Sequence, residues 1–124
     1  MSGFGGLVDE IDARFSAGPK AALLVEEALR LVSGYPGGVS GFVRRLKAAG
    51  YTLEAASWLG GGDLVPLSGN EVEEILGCEA MARFAARAEV SQSFARTTLG
   101  YAIPNIVSLL AQRGALPARI RVSA

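Results

Sequence analysis

A chain of 124 residues has room for one domain and buries roughly two-thirds of the surface that its unfolded form exposes. Half of its residues are hydrophobic, 7% aromatic and 19% charged, so the interior is built mainly from Ala, Leu, Val and Ile, and this composition excludes a disordered chain. With no histidine the commonest general base and zinc ligand are missing, a single Cys78 excludes an internal disulfide framework, and a net charge of zero argues against the broad basic footprint that duplex nucleic acid demands.

Apolar spacing of three and four recurs along the chain, and alternation over strand lengths is missing, so the fold class is all-α. Leu7, Val8, Ile11 and Phe15 form the inner stripe of a first helix, with Asp9, Asp12 and Arg14 outside. Gly18 and Pro19 end it and open a second helix, about 19–32, whose charges Glu26, Glu27 and Arg30 are confined to one side. A turn over 34–38 leads to a third helix marked by Phe42, Val43 and Leu46, which stops at Gly50 and carries Arg44, Arg45 and Lys47 outside. A fourth helix, about 52–59, takes Thr52 as its cap and Glu54 in its first turn, and delivers Trp58 at its end.

Gly60, Gly61 and Gly62 cannot sustain a helix, because each loses more backbone entropy on ordering than any other residue. After Pro66, Ser68 and Glu71 have the spacing of a capping box ahead of Val72, Ile75 and Leu76, a short helix closed by Gly77. Met81, Phe84, Ala85 and Ala88 give a sixth inner face. Ser91 caps a seventh helix along Phe94, Thr98 and Tyr101, which Pro104 is expected to kink or break. Ile106, Val107 and Leu110 extend the apolar face to about Gln112. The sum is a single compact array of six or seven short helices over residues 1–117, with 118–124 as a flexible C-terminal tail.

Two ordered blocks carry a family resemblance. Ser57-Trp58-Leu59-Gly60-Gly61-Gly62 followed by Pro66-Leu67-Ser68 resembles the Ser-Trp-aliphatic-Gly-x-Gly and Pro-aliphatic-Ser pattern of the YidB-like family of bacterial proteins. Ile103-Pro104-Asn105-Ile106-Val107 and then Gly114-Ala115-Leu116-Pro117 are similar to that family's Leu-Pro-x-Leu-Val and Gly-x-Leu-Pro blocks. The Gly38 to Gly50 segment looks like its glycine-rich entry to a helix ending in Ala-Gly, and Asp63 and Leu64 stand where such proteins commonly carry an asparagine before the proline. The resemblance implies the same helical array and brings no catalytic residues. Its signature here is Trp58, Gly60, Gly62, Pro66, Ser68, Glu71 and Pro104.

As candidate sites these residues read as structure. Trp58, at the end of an amphipathic helix, plugs the core rather than serving as an exposed anchor. The triple glycine lacks the lysine and hydroxyl of a phosphate-binding loop. Glu71, Glu73 and Glu74, with Asp63 and Glu79, lack a calcium loop's alternation and read as a solvated face, so no metal or other cofactor is expected. Arg44, Arg45 and Lys47, with Arg119 and Arg121 in the tail, are the candidate interaction surface for an anionic partner. Cys78 reads as a buried or half-buried inert thiol, with no histidine to activate it.

Residues 1–89 hold twelve acids and eight bases, a net −4, and residues 90–124 hold four arginines and no acid, a net +4. Opposed charges and small-residue helix faces suit a non-catalytic interaction module that self-associates or binds a protein partner. The alternative is a carrier of a small apolar, lipid-like ligand enclosed by Phe84, Phe94, Tyr101 and Ile106. An enzyme ranks third, since no pair of carboxylates has a spacing that demands catalysis. Asp9, Glu10 and Asp12 interrupt any secretory signal, and the uncharged stretch 97–112 is short of a membrane span and holds Gly100 and Pro104. The expected setting is the cytoplasm.

Overall fold

The computed structural model describes residues 3–60 and 64–112. Gly61, Gly62, Asp63, the Gly114 to Pro117 block, the tail and Arg119 and Arg121 lie outside the described residues.

Seven helices and no strand are found among the described residues: α1 (Gly3–Phe15), α2 (Lys20–Ser33), α3 (Gly38–Ala48), α4 (Thr52–Leu59), α5 (Gly69–Leu76), α6 (Cys78–Ala88) and α7 (Gln92–Gln112). Their organisation follows from α7. Eleven of its residues are buried, from Ala95 to Ala111, and a helix that is apolar on most of its circumference is stable only when surrounded. It packs against α1, α2, α4, α5 and α6, while α3 closes the array against α2 and α4. The core is mainly Ala, Leu, Val and Ile, as composition requires, with Trp58, Phe42 and Met81 among its largest fully buried side chains.

The helix boundaries obey local chemistry. Gly18, at φ +61°, turns the chain after α1, and its amide donates to Asp12 Oδ1 at 2.8 Å. Ser91 caps α7 by accepting from the Phe94 amide at 3.1 Å. Thr52 is a correction: it is the first residue of α4 and forms no cap, because Gly50 and the Tyr51 amide, which donates to Leu46 O at 2.9 Å, already set the turn.

At Pro104, where a kink or a break is expected, the break does not occur: α7 runs on through the proline. A proline removes the donor to the carbonyl four residues earlier, here that of Gly100. The Leu67 amide supplies the missing donor from another segment at 3.0 Å. The next carbonyl, that of Tyr101, accepts from Asn105 Nδ2 at 2.9 Å. Both carbonyls that the proline disturbs are therefore satisfied, and the helix continues.

Candidate functional site

The Trp58 to Glu71 stretch is a joint between α4 and α5 that is locked onto α7. Trp58 is fully buried, and its indole Nε1 donates to Val65 O at 2.8 Å, which ties the segment leading into α5 to the core. Gly60 ends α4 by donating to Ala56 O. Pro66 is exposed and Leu67 buried, and the Leu67 backbone rests directly on α7. A Cβ at Gly100 would lie 2.1 Å from Leu67 O, so only glycine permits the contact. Ser68 Oγ accepts from the Glu71 amide at 3.1 Å, and Glu71 Oε1 accepts from the Ser68 amide at 2.8 Å, the expected capping box. Ser68 and Glu71 thus spend their side-chain oxygens on each other's amides, and Trp58 spends its indole N–H on the joint's own backbone.

The neighbouring charges are also engaged in structure. Arg45 donates from Nε to Ile75 O and from Nη2 to Glu74 O, each at 3.2 Å, and so caps the C-terminal end of α5. Arg44 is exposed and Lys47 half-buried. Glu73 pairs with Arg96 at 3.2 Å and accepts from Cys78 Sγ at 3.3 Å. Cys78 is exposed, which corrects the expected burial, because Gly77 at φ +92° turns α6 so that its first residue faces outward. The hydrogen bond to Glu73 and that carboxylate's charge push the thiol pKa up, while Arg96 opposes them. No group of three or more acidic, cysteine or histidine side chains among the described residues is placed to hold a metal ion.

Tyr51 OH donates to Glu74 Oε1 at 2.7 Å, and this bond, with partial desolvation and the charges of Glu74, Glu71 and Glu54, pushes the phenol up to about 12. A raised folded-state pKa adds stability that is fully present below the unfolded value of 10.0 and is lost as pH rises towards 12. In an absorbance titration of tyrosinate, Tyr51→Phe should remove a late-titrating group near pH 12. An unchanged late phase in that variant would contradict the assignment.

On another face, α2 and α6 border an open groove of about 520 Å³. Residues one helical turn apart line both walls: Glu27, Arg30 and Leu31 from α2 with Gly34 at its C-cap, and Ala80, Arg83, Phe84 and Arg87 from α6. Tyr35, Pro36 and Leu76 close its end, and Tyr35 is held edge-on to the buried Phe42 ring at 5.5 Å between centroids. Arg30 lies 3.5 Å from Glu26 and 3.9 Å from Glu27. Arg83 and Arg87 form no ion pair with any described residue. An apolar floor is thus bordered by three guanidinium groups and the Glu27 carboxylate, with Arg83 and Arg87 outside ion-pair distance of any described acid.

The family model for YidB-like protein matches residues 2–119, nearly the whole chain. The chain belongs to the YidB-like family. No curated protein and no solved structure matches it. In this YidB-like chain the signature block and the groove are separate: Trp58, Pro66, Ser68, Glu71 and Pro104 build the joint, and none of them lines the groove. Of Phe84, Phe94, Tyr101 and Ile106, only Phe84 borders it. Sequence reasoning missed the groove because Arg30, Arg83 and Arg87 each look like ordinary outer-face charges. The available signal was the pair Arg83 and Arg87, four apart on α6, of which only Arg83 has an acid at matching spacing, Glu79, and the two form no ion pair with any described residue.

Proposed function

We propose that this YidB-like chain is a non-catalytic interaction module whose groove between α2 and α6 receives an apolar protein segment flanked by acids. The observation that carries the reading is the frame of Arg83 and Arg87, unpaired among the described residues, over Leu31, Tyr35, Leu76 and Phe84. Interfaces draw on this combination, since arginine and tyrosine are enriched at binding hot spots and charge complementarity selects the partner. A non-catalytic role is supported by the lack of histidine and by a lone thiol held towards its protonated form. No helix among the described residues is long and apolar enough to cross a membrane, and a cytoplasmic setting is part of the proposal.

A fluorescein-labelled helical peptide with leucines one turn apart and flanking glutamates tests the reading by anisotropy. Wild-type protein should bind it in a salt-sensitive manner, and the double variant Arg83→Glu/Arg87→Glu should weaken binding at least about tenfold. Both arginines are exposed, so the variant should fold, and its helical signal checks that. Equal binding by both proteins would refute a charged groove. Preference for an uncharged apolar dye over the peptide would favour the small-ligand carrier.

A further inference from the structure

We infer that the occupant of the groove is a second copy of this chain, which presents Leu53 from an acidic edge. The inference rests on the groove reading and adds the partner's identity. Leu53, in the first turn of α4, is 83% exposed, the most exposed large apolar side chain among the described residues. A solitary exposed leucine is ordinary on a protein surface. What distinguishes Leu53 is its surroundings. Glu54 follows it directly, and the Glu74 carboxylate accepts from the hydroxyl of Tyr51, two residues before it, at 2.7 Å. Leu53 is therefore an exposed apolar knob with Glu54 next to it in the chain and Glu74 bonded to Tyr51, and the groove is an apolar hollow bordered by three arginines and Glu27.

The two surfaces share no residue, and their charges are opposite. Placing Leu53 over Leu31, Tyr35 and Phe84 removes apolar surface from water, and brings glutamates to Arg83 and Arg87, which have no intramolecular partner among the described residues. The separation of charge that matters is thus between two faces of the fold. It is not the division between residues 1–89 and 90–124, because all three groove arginines belong to the acidic first part.

Complementary disabled variants provide the test. Leu53→Lys places a repelling charge on the knob and leaves the groove intact, while Arg83→Glu/Arg87→Glu does the reverse. Light scattering and sedimentation should show wild-type association that rises with concentration and falls with salt. Each variant alone should associate at least about tenfold more weakly, and an equimolar mixture should recover a one-to-one complex through the one remaining knob and the one remaining groove. Circular dichroism melting confirms that each variant is folded. A wild-type chain that stays monomeric at every concentration, or a Leu53→Lys variant that associates like wild type, would overturn the inference. If the glutamate-flanked peptide still binds in that case, only the identity of the occupant fails; if it does not, the groove reading fails as well.

Discussion

Gly100→Ala should destabilise the chain by about 3 kcal/mol, which for a domain of this size lowers Tm by about ten degrees. Elsewhere in a helix the same change stabilises by about 0.5–1 kcal/mol, because alanine loses less backbone entropy than glycine on ordering. At Gly100 the new methyl would sit 2.1 Å from Leu67 O, a backbone atom that cannot turn aside. Either the Pro66 to Ser68 segment lifts off α7 or α7 shifts. In the first case the Leu67 amide bond to Gly100 O is lost, the buried Leu67 side chain loosens, and the carbonyl that Pro104 deprives of its helical donor is left unsatisfied. Gly5→Ala in α1 is the matched control, since nothing lies within 4 Å of a Cβ there. Thermal melts of the two variants should move in opposite directions. A Gly100→Ala melt equal to that of wild type would contradict the close contact.

Trp58→Ala should cost about 3–5 kcal/mol, the range for removing a large aromatic side chain from a core. Trp58 is fully buried, and it ties the end of α4 to the segment before α5 through its bond to Val65 O. Marginal stability makes a loss of this size a large share of the total, which for most domains is about 5–15 kcal/mol. Trp58→Phe separates the two contributions. It retains most of the apolar burial and loses the indole donor, so its cost should be nearer 1 kcal/mol, the net worth of one hydrogen bond. Denaturant unfolding followed by circular dichroism measures both variants. If Trp58→Phe is as damaging as Trp58→Ala, the hydrogen bond or the ring shape dominates over burial.

Much of the fold is legible in the sequence because the relevant signals are local. The spacing of Leu7 and Ile11, the stop at Gly18, the Ser68 to Glu71 box and the Ser91 cap all involve residues a few positions apart, and all are found in the structure. The inward turn of Trp58 follows from its place on an amphipathic helix. What escaped depends on partners distant in the chain. Pro104 looks like a helix breaker until Leu67 supplies a donor to Gly100 O, and no local pattern connects those residues. Arg45 resembles a surface cation until the end of α5 arrives beneath it. The exposure of Cys78 depends on the φ of Gly77, and the groove depends on how α2 and α6 are set side by side.

The division of labour between joint and groove explains why a specific signature is silent about activity. Trp58 with Val65, Ser68 with Glu71, and Leu67 with the Gly100 carbonyl that Pro104 leaves without its helical donor are constrained by contacts within the fold, so their pattern identifies an architecture. Under the proposed function, the groove residues answer instead to the partner they meet, and their identity follows that partner.

Amide chemical shifts recorded while the glutamate-flanked peptide is added test this division most directly. The expected result is a set of perturbed resonances centred on Arg30, Leu31, Tyr35, Ala80, Arg83 and Arg87, with the Trp58 indole and the Leu67 amide unmoved. Perturbations centred on Trp58, Leu67 and Ser68, with α2 and α6 unaffected, would contradict it and make the signature block the binding site.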